Sequence, residues 1–573
     1  MNLKITGAEA LIKALICEGV DRVFGYPGGA IIPVYDRLYD YSDKIRHILT
    51  RHEQGAIHAA QGYARATGRT GVVIATSGPG ATNLITGLSD AMMDSTPLVV
   101  ITGQVSAKFL GSDAFQETDV VGITQPITKW ALQIRRPEDL TAAIAKAFYI
   151  ARSGRPGPVV LDIAKDAQIG TTDWRYRPCT FIRSYDPVPE TSADSLQHAA
   201  DIINSAQRPM IISGHGVMIA NAEEWLRQLA EKADIPVAST LLGLSTMPSS
   251  HPLFKGMLGM HGNIGPNVNT NRCDVLIAIG MRFDDRVTGD TATYAPQAKI
   301  IHIDIDPSEF NKNIRATVTV NGDAATVLQQ LIPMVNETTH DGWAESFDKY
   351  NRIERERIIN DEIHPASDRK MTMAEVINLV SEAAGNDAIL VTDVGQNQMM
   401  SARYFRFSSP RSIITSGGLG TMGFGIPAAI GAKMGCPDRT VCLFCGDGGF
   451  QMTMQELGTI MENGTAVKII ILNNSYLGNV RQWQQLFYNN RYSSTPLLNP
   501  DFTAIAGAYG IQSEKVSSRH TLASAIDRMM AHDGPFLLDV DIDSAGNVFP
   551  MTPAMAPVDH IMLTPDEMLD ING

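Results

Sequence analysis

The sequence predicts an α/β protein built from three doubly wound domains, each with a parallel sheet. Apolar runs of strand length, such as Val467–Leu472, alternate with turns of small residues and with helix-like segments. The segment 64–104 repeats the strand, glycine-turn, helix and strand order of the segment 428–472. Between these two copies, further apolar runs predict parallel strands at 208–213, 273–279 and 298–304. We therefore expect two copies of one unit with a third α/β region between them.

Two polar stretches predict where the domains are joined. They cover residues 170–192, which are rich in Thr and Pro, and residues 336–370, which are rich in charged side chains. The 573-residue chain has room for roughly three or four domains. The predicted domains are 1–170, 190–335 and 370–545, followed by a C-terminal tail at 546–573.

The charge balance restricts the partners that the protein can have. The chain has 47 Lys and Arg against 61 Asp and Glu, a net charge of −14, and no polybasic block. Such a chain is poorly suited to bind nucleic acid or an anionic membrane. We therefore expect no nucleic-acid partner and no membrane partner, and an anionic substrate would have to meet local positive charge.

The start of the chain and its cysteines predict a cytoplasmic protein. Charged residues occupy the start, where a signal peptide needs an apolar core, and no apolar run approaches roughly 18 residues. The six scattered cysteines do not form a disulfide framework. Cys442 and Cys445 have C-x-x-C spacing, but in a strand this spacing directs the two thiols to opposite faces. We expect buried structural cysteines there rather than a redox or zinc pair.

The most specific motif joins Gly446-Asp447-Gly448 to Asn473-Asn474, with one helix predicted between them over 451–463. Each end of the motif follows an apolar run of strand length, and open α/β sheets bind ligands where their parallel strands stop. The glycines let backbone N–H groups approach a diphosphate, while the Asp447 carboxylate and the Asn474 amide oxygen are hard ligands that suit Mg²⁺. The spacing predicts a site for thiamine diphosphate (ThDP) with Mg²⁺. A site for metal alone is the alternative, and the glycine motif by itself would indicate only a tight turn.

Motifs along essentially the whole chain resemble those of the catalytic large subunit of acetohydroxyacid synthase, also called acetolactate synthase. The segments that carry the resemblance are Gly25-Tyr-Pro-Gly-Gly-Ala30, Arg51-His-Glu53, Thr76–Asn83, Asp113-Ala-Phe-Gln-Glu117, Gly154–Pro158, Lys165-Asp166, Leu258–Gly262, Arg282–Arg286, Gly417–Gly423 and Arg481-Gln-Trp483. The resemblance implies that the first domain binds the aminopyrimidine of ThDP, the last binds its diphosphate and the middle one binds FAD as a largely structural cofactor.

The resemblance also implies an activity and an assembly. The activity is the decarboxylative condensation of pyruvate with pyruvate or 2-oxobutyrate to 2-acetolactate or 2-aceto-2-hydroxybutyrate, the first common step of branched-chain amino acid biosynthesis. The family pairs the first domain of one chain with the last domain of another. We therefore expect a homodimer or tetramer, with a small regulatory subunit as an additional partner.

Glu53 is the first candidate catalytic residue. ThDP chemistry needs a carboxylate against N1′ of the aminopyrimidine, and the segment Arg51-His-Glu53 precedes an Ala- and Gly-rich helix-like segment. This arrangement can hold the carboxylate in an apolar pocket, where its pKa would rise. The alternative is an ordinary Glu in a first helical turn that complements the helix dipole. The resemblance favours the catalytic role.

The resemblance supplies further candidates for the substrate cleft. Arg286 would bind the carboxylate of a 2-oxo acid bidentately, and the indole of Trp483 would pack on the alkyl group of the acceptor. Without the resemblance, Arg286 would be interpreted as a surface partner of Asp284 or Asp285, and Trp483 as a core aromatic residue. The other residues implied in the cleft are Gly29, Phe115, Gln116 and Lys165.

Two sets of cofactor contacts follow from the resemblance. For ThDP they are Gln396, Asn397, Gln398, Gly420, Met422, Asp447, Gly448, Gly449, Asn474, Tyr476, Leu477, Gly478 and Asn479, with Asp447, Asn474 and Tyr476 as the Mg²⁺ ligands. For FAD they are Arg155, Gly214, Thr240, Leu241, Met260, His261, Gly262, Gly280, Arg282, Asp304, Ile305, Gly322 and Asp323. Arg155 and Arg282 would meet the diphosphate of FAD, and Met422 would wedge beneath ThDP. The chain departs from the family at Asn397, which replaces the usual His but can donate an amide N–H to a phosphate oxygen, and at Asn479, which replaces the usual Met.

Three other functions compete with this activity. They are a ThDP- and FAD-dependent pyruvate oxidase with a lipid-binding C-terminus, another ThDP-dependent 2-oxo acid carboligase, and a catalytically silent ThDP-binding scaffold. The tail after residue 546 is broken by prolines and followed by acids, which suits an active-site flap better than an amphipathic membrane helix. The joint presence of Glu53, Asp447 and Asn474 argues against a silent scaffold.

Overall fold

The computed structural model describes residues 4–571 and contains three six-stranded parallel sheets. Alternate residues of one strand enter different hydrophobic clusters, so that Val72 and Ile74 pack on one face of the first sheet and Val73 and Ala75 on the other. Both faces of the sheets are thus covered, which confirms the predicted α/β class. Residues 1–3, which begin the segment used to judge a signal peptide, and residues 572–573 lie outside the described residues.

The first domain contains one of the parallel sheets and an antiparallel pair. Its strands are β1 (Lys4–Thr6), β2 (Arg22–Gly25), β3 (Arg46–Leu49), β4 (Gly71–Ala75), β5 (Leu98–Gln104), β6 (Trp130–Ile134), β7 (Pro158–Ala164) and β8 (Thr171–Asp173). Its helices are α1 (Gly7–Cys17), α2 (Ile32–Asp40), α3 (Glu53–Thr67), α4 (Pro79–Thr82), α5 (Ile85–Met93), α6 (Val120–Thr124), α7 (Leu140–Arg152) and α8 (Lys165–Ile169). The sheet order is β3-β2-β4-β5-β7-β6, and β1 pairs with β8.

The middle domain has a doubly wound sheet with its own order. Its strands are β9 (Pro209–Ser213), β10 (Val237–Ser239), β11 (Phe254–Met257), β12 (Val275–Ile279), β13 (Lys299–Asp304) and β14 (Val318–Asn321). The helices are α9 (Ala193–Asn204), α10 (His215–Ile219), α11 (Glu223–Lys232), α12 (Ile264–Thr270), α13 (Asp285–Thr288), α14 (Ala324–Leu331), α15 (Trp343–Glu354) and α16 (Asn360–Ile363). The order β11-β10-β9-β12-β13-β14 reverses direction between β9 and β12.

The third domain repeats the topology of the first. Its strands are β15 (Ile389–Thr392), β16 (Ile413–Ile414), β17 (Val441–Gly446), β18 (Val467–Asn473), β19 (Gln512–Val516) and β20 (Phe536–Asp541), with the tail strands β21 (Met562–Thr564) and β22 (Glu567–Met568). The helices are α17 (Met373–Ala384), α18 (Gln396–Tyr404), α19 (Gly425–Gly435), α20 (Asp447–Thr453), α21 (Leu457–Asn463), α22 (Gly478–Phe487), α23 (Phe502–Ala508) and α24 (Arg519–Ala531). The order β16-β15-β17-β18-β20-β19 matches the first sheet strand by strand, which confirms the predicted duplication.

Short helices of other types complete the secondary structure. Three-residue 3₁₀ helices occupy Ala107–Phe109, Gln125–Ile127, Pro137–Asp139, Leu241–Gly243, Pro307–Glu309, Ile332–Met334 and Met454–Glu456, and a π-helix spans Arg355–Ile359. Across residues 4–571, none of the helices is both long and apolar enough to span a membrane.

Two local predictions differ from the structure. The helix predicted over 451–463 is divided into α20, a 3₁₀ turn and α21, because Thr453 leaves helical geometry and its hydroxyl donates to the carbonyl of Gly423 over 2.9 Å. The polar stretch 336–370 is not an open connection but contains α15, α16 and the π-helix. Trp343, Phe347 and Tyr350 have helical spacing and are buried on one side, which explains the helix despite the many charges around it.

Cys442 and Cys445 follow the strand geometry that the sequence predicts. Cys442 packs with Leu390 on one face of the third sheet, whereas Cys445 packs with Leu443 on the other. Both thiols are buried and free, which confirms structural cysteines rather than a redox pair.

Helices α3 and α19 join the first domain to the third at very close range. A Cβ atom added at Gly62 would overlap the carbonyl oxygen of Ala428, and one added at Gly431 would overlap that of Ala59. Glycine is required at these positions by the approach of one backbone to the other, not by an unusual dihedral angle.

Gly431→Ala tests this contact. The new methyl group would force α3 and α19 apart, and overpacking of this kind typically lowers the free energy of unfolding by about 1–3 kcal/mol, so we expect a lower Tm. Gly507→Ala is the matched control, because Gly507 lies in α23 with open space around an added Cβ. Alanine there should leave Tm unchanged or slightly higher. Equal Tm values for the two variants in thermal denaturation would contradict the interpretation.

Candidate active site

Asp447 lies where β17 ends and α20 begins, and it is fully buried. Asn499 Nδ2 donates to its Oδ2 over 2.6 Å, whereas Oδ1 has no hydrogen-bond partner among residues 4–571. Burial raises the pKa of Asp447 to about 6, and the hydrogen bond from Asn499 opposes this rise. A buried carboxylate with one free oxygen has the chemistry of a ligand for a divalent cation.

The two asparagines of the motif have different roles. Asn473 ends β18, and its amide donates to Asp539 Oδ1 over 2.9 Å. Asn474 follows the strand, accepts the backbone N–H of Tyr476 over 3.0 Å and lies 3.5 Å from Gln396 Oε1 through its Nδ2. Asn473 therefore braces the edge of the sheet, while Asn474 joins the group of predicted ThDP contacts.

Met422 lies against the glycine motif. A Cβ atom at Gly448 would be 3.9 Å from Met422 Cε and 2.7 Å from Leu477 Cδ2. The loop that carries Met422 is anchored by the buried Asp393, whose Oδ2 accepts backbone N–H groups of Gly423 and of residue 425 over 3.1 and 2.9 Å. Met422, Gly448 and Leu477 therefore lie together, and the loop that carries Met422 has a fixed backbone.

Asn397 is buried near the beginning of α18 and faces the same motif. A Cβ atom at Gly446 would be 3.6 Å from its Nδ2. The amide donates to the carbonyl of Val394 over 3.0 Å, and its Oδ1 is without a partner in the described part of the chain. One N–H of the predicted phosphate donor is thus already used, and the free atom is an acceptor. Gln398 instead donates to Thr415 over 2.6 Å.

A cavity of about 620 Å³ lies where the three domains meet, and its volume is typical of cofactor pockets, which hold roughly 300–1,000 Å³. The predicted residues that line it are Arg155, Thr240, Leu241, Met260, His261, Gly280, Arg282, Arg286, Asp304, Ile305, Gly322, Asp323, Gln398, Gly420, Asn479 and Trp483. The cavity therefore collects most of the predicted FAD contacts, part of the ThDP contacts and both residues predicted to bind the acceptor.

The cavity includes the switch point of the middle sheet. Gly214 follows β9 and Gly280 follows β12, the two strands between which the order reverses. A Cβ atom at Gly280 would be 2.5 Å from the Cα of Gly216, so the two loops meet backbone to backbone. Open α/β sheets bind dinucleotides at such crevices. Gly214 and Gly262 themselves pack behind the wall of the cavity.

Acidic side chains occupy the strand ends of the middle domain. Asp304 ends β13, and burial raises its pKa to about 7. Arg155 Nη1 is bonded to Asp306 over 3.1 Å and to Glu309 over 2.6 Å. The acids fit the ribose hydroxyl groups of a dinucleotide. Arg155, predicted to meet the diphosphate, is already paired with two carboxylates.

Arg286 and Trp483 line the cavity from α13 and α22. The Arg286 side chain is 61% exposed, with Nη1 3.6 Å from Met260 Sδ and Nε 3.8 Å from Asp285 Oδ2. Trp483 is only partly buried and packs on Phe487 with ring centroids 5.3 Å apart. Arg286 thus combines the predicted surface pairing with a position in the cleft, and Trp483 is a wall of the cavity rather than a core residue.

Glu53 belongs to a separate group in the first domain. It begins α3, its Oε2 accepts from Asn83 over 2.9 Å, and a Cβ atom at Gly80 would lie 3.3 Å from its Oε1. Gly78 of the same turn lies against the backbone of Gln116. The turn after β4 therefore brings Gln116 towards Glu53.

The other first-domain candidates also follow strands of the first sheet. Phe115 is 88% exposed, Lys165 is exposed at the end of β7, and Gly29 has open space around it. Within the described range 4–571, the residues that line the cavity include no member of this group: Gly29, Glu53, Phe115, Gln116 and Lys165. Within one chain, this group therefore lies apart from the cavity.

Three known domain families match the chain, one for each sheet. The N-terminal TPP binding domain of thiamine pyrophosphate enzymes matches residues 5–123, their central domain matches 196–331 and their C-terminal TPP binding domain matches 393–540. Glu53 thus lies in the N-terminal TPP binding domain, and Asp447 and Asn474 lie in the C-terminal one.

Known relatives match at nearly full length. The probable acetolactate synthase large subunit of Methanocaldococcus jannaschii is 47% identical over 556 residues, which cover 96% of this chain and 93% of that protein. The acetolactate synthase isozyme 2 large subunit of Escherichia coli is 45% identical over 553 residues, which cover 96% and 98%. The chain belongs to the acetolactate synthase large-subunit family. The resemblance inferred from the motifs is therefore confirmed.

The sequence analysis missed the buried charged residues that fix the loops around the cavity. Asp94 caps α5 and accepts backbone N–H groups of Gly417 and Gly418 over 2.8 and 2.7 Å, as well as Arg65 Nη2 over 2.8 Å. Both charged side chains are buried. The first domain therefore fixes the glycine loop of the third. No local motif marks Asp94, because its partners lie far away in the sequence.

A second missed ion pair fixes the loop that carries Met260. Arg403 on α18 pairs with Glu354 on α15, and both side chains are 1% exposed. Arg403 also donates to the carbonyl oxygens of His261 and Gly262 over 3.1 and 3.0 Å. Glu354 lies in the polar stretch 336–370, whose charged side chains predicted a connection between domains.

Asp447→Ala tests the predicted metal and diphosphate site. We expect Mg²⁺-dependent binding of ThDP to be lost, because the only charged ligand among the proposed three is removed. Asn499→Ala is the graded comparison: it keeps the carboxylate and removes its hydrogen-bond donor, and such outer-shell losses typically weaken metal sites about 10–100-fold. Titration calorimetry with ThDP, with and without Mg²⁺, measures both. Unchanged ThDP affinity in Asp447→Ala would sink the assignment.

Proposed function

We propose that the protein catalyses the ThDP-dependent, decarboxylative condensation of pyruvate with pyruvate or 2-oxobutyrate, giving 2-acetolactate or 2-aceto-2-hydroxybutyrate. The observation that carries the proposal is the cavity in which Arg286 and Trp483 lie with Gly420 and Asn479 of the C-terminal TPP binding domain. A guanidinium and an indole beside the cofactor loop suit an acceptor with a carboxylate and a short alkyl group. Family membership supports the same reaction, the first common step of branched-chain amino acid biosynthesis.

The proposed cofactors are ThDP, Mg²⁺ and FAD. Asp447, Asn474 and Tyr476 are the proposed Mg²⁺ ligands, and the free Oδ1 of the buried carboxylate supports this role. When bound, ThDP supplies the acidic C2 carbon on which decarboxylation and condensation depend. The middle-domain part of the cavity fits FAD, with Asp304 at a strand end to meet a ribose hydroxyl group.

The residues of the chain have distinct proposed tasks. Glu53 holds a proton against N1′ of the aminopyrimidine; its side chain is nearly buried, and Asn83 holds one of its oxygens. Arg286 binds the carboxylate of the acceptor, and Trp483 packs on its alkyl group. Met422 supports ThDP from the side of the glycine motif.

A second copy of the chain is proposed to complete the site. Glu53 and its neighbours form a half-site apart from the cavity, as an active site between subunits requires. Large apolar side chains near both half-sites are exposed, among them Phe115, Leu419 and Met452. Exposed apolar surface of this kind suits an interface. We expect a homodimer or tetramer in which Glu53 of one copy serves the cavity of another.

Other partners and the location are proposed on weaker grounds. The names of the relatives as large subunits support a small regulatory subunit as a partner. The net charge of −14 supports the expectation that nucleic acid is not a partner. A cytoplasmic location and the lack of a membrane partner stay predictions from the sequence.

The tail is proposed to close the cavity as a flap. The backbone N–H of Thr552 donates to the carbonyl of Met260 over 2.7 Å. Val548 exchanges hydrogen bonds with the side chain of Gln482 over 3.0 and 3.3 Å. Met260 lines the cavity and Gln482 precedes Trp483, so the tail connects two of its walls.

The product formed from pyruvate alone tests the proposed function. With ThDP, Mg²⁺ and FAD, we expect 2-acetolactate and CO₂; acetaldehyde would indicate a decarboxylase, acetate an oxidase and no CO₂ release a silent scaffold. In Glu53→Gln, turnover should fall at least about 100-fold, as is typical when a general acid or base is lost, while ThDP still binds. Chromatography of the products and a CO₂ assay measure these outcomes.

Trp483→Leu tests the recognition of the acceptor. The loss of the indole should lower the preference for 2-oxobutyrate over pyruvate, while self-condensation of pyruvate survives. One methylene group in an apolar pocket limits the change to about 1–3 kcal/mol, or about 10–200-fold.

Arg286→Ala is the contrasting variant, because losing the carboxylate contact should weaken both acceptors about equally. Competition assays that contain both oxo acids measure the product ratio. A parental ratio in Trp483→Leu would contradict the assignment and leave Trp483 as a packing residue.

A further inference from the structure

The turn Arg51–Glu53 lies against the third domain of its own chain. Nη2 of Arg51 donates to the carbonyl of Gly458 over 3.1 Å and to Glu462 Oε2 over 2.8 Å. Thr459 Oγ1 lies 3.2 Å from the carbonyl oxygen of Leu49 just before the turn. Helix α21 therefore packs against the segment that leads into Glu53.

Glu456 lies at the centre of this contact and is fully buried. Its Oε1 and Oε2 are 3.0 and 3.2 Å from the backbone nitrogen of Arg51, and Thr459 Oγ1 donates to Oε2 over 2.6 Å. The backbone N–H of His52 also lowers the pKa of the carboxyl group. These backbone donors directly precede α3, so the carboxylate fixes the main chain of the turn and not only a side chain.

The turn and the third domain pack against each other at close range. A Cβ atom at Gly55 would overlap Oε1 of Glu456, and a Cβ atom at Gly458 would lie 2.8 Å from Nε of Arg51. Because the carboxylate touches the first turn of α3 directly, a shift of Glu456 must shift the backbone that carries Glu53.

We propose that Glu456 is a positioning residue that fixes the Arg51–Glu53 turn and so orients the Glu53 carboxyl group for proton exchange with the aminopyrimidine. The inference rests on the proposed catalytic role of Glu53. Glu456 acts through the backbone: within the described range 4–571 it is not among the residues that line the cavity.

The positioning depends on the ionisation of Glu456. As a carboxylate, it accepts with both oxygens, whereas protonation turns one oxygen into a donor that faces backbone N–H groups. Burial raises the pKa of Glu456 to about 7, and its hydrogen bonds from Thr459 and the Arg51 backbone lower it. The turn is therefore held best above this pH, and the contact weakens as pH falls through the pKa.

Other titratable and charged groups lie on the elements packed against Glu456, and of these the guanidinium of Arg51 lowers its pKa. They are Arg51, His52 and Glu53 in the turn and α3, Glu462 in α21 and His47 in β3. Burial lowers the pKa of His47 to about 4, so His47 stays neutral in the relevant range. The variant His52→Asn distinguishes a pH dependence that arises from His52 from one that arises from Glu456. Asn at position 52 keeps a cap acceptor at the start of α3.

Glu456→Gln in the holoenzyme tests the proposal. Hydrogen–deuterium exchange at C2 of bound ThDP should slow about 10–100-fold, the loss expected for a misplaced catalytic group, while ThDP affinity and substrate KM stay near parental values. Tm should fall, because a buried carboxylate that accepts hydrogen bonds is replaced. The acid limb of the kcat–pH profile should disappear. Glu462→Gln is the matched control, because Glu462 also contacts Arg51 but through the guanidinium at an exposed site; it should exchange at the parental rate.

Thr459→Val is a second variant that keeps the carboxylate. It removes a hydrogen bond that lowers the pKa of Glu456, so the acid limb should move to higher pH. If Glu456→Gln does not fold, the kcat–pH profile of Thr459→Val tests the proposal in its place. An acid limb at the parental pH in Thr459→Val would overturn the proposal.

Further outcomes would also overturn it. The proposal is wrong if a folded Glu456→Gln variant exchanges C2 hydrogen at the parental rate. It is also wrong if Glu462→Gln slows C2 exchange as much as Glu456→Gln does, or if the acid limb of the kcat–pH profile disappears in His52→Asn and not in Glu456→Gln. Glu53→Gln separates this inference from the proposed function. Parental C2 exchange in Glu53→Gln would refute the role of Glu53 itself, whereas slow exchange there with parental exchange in Glu456→Gln would refute only the positioning role.

Discussion

The contact between helices α3 and α19 determines how the two TPP binding domains are oriented. Where Gly431 meets the carbonyl of Ala59, backbone touches backbone without an intervening side chain. Such a contact leaves little freedom to slide, because close-packed interiors do not deform continuously. Both ends of α3 then have defined partners in the structure: Arg65 reaches Asp94 near the last turn, and the first turn meets Glu456. The position of Glu53 at the start of α3 thus depends on packing along the whole length of the helix.

Buried carboxylates hold the loops around the site, and most of them accept backbone N–H groups. Asp94, Asp393 and Glu456 each fix a turn in this way. A buried charge is costly unless its hydrogen bonds are complete, so each acid is stable only while its turn keeps its shape. Asp447 differs, since one of its oxygens has no partner in the described part of the protein. This contrast supports a cation as the missing partner of Asp447 and a positioning role for the other acids.

The sequence was sufficient where the signal is local. Apolar runs predicted the strands, and the spacing from Asp447 to Asn474 predicted residues that the fold does bring together at one edge of the sheet. The break at Thr453 was missed because it depends on a hydrogen bond to a distant carbonyl. Asn499 and Glu456 were missed for a related reason: each lies in a segment without a motif and acts on a residue far away in the chain. Long-range partners of this kind follow from the sheet order, which local patterns do not specify.

Arg155 and Arg286, two of the arginines that line the cavity, show how the surroundings decide which charge can meet an anion. Arg155 is largely buried against Asp306 and Glu309, with bonds of 3.1 and 2.6 Å, so a diphosphate would have to compete with two carboxylates. Arg286 is 61% exposed, and the 3.8 Å separation from Asp285 makes a weak, screened ion pair. A substrate carboxylate could replace this contact at little cost and gain bidentate geometry. The arrangement therefore supports Arg286 as the group that binds the acceptor, and it leaves Arg155 chiefly to join the first domain to the middle one.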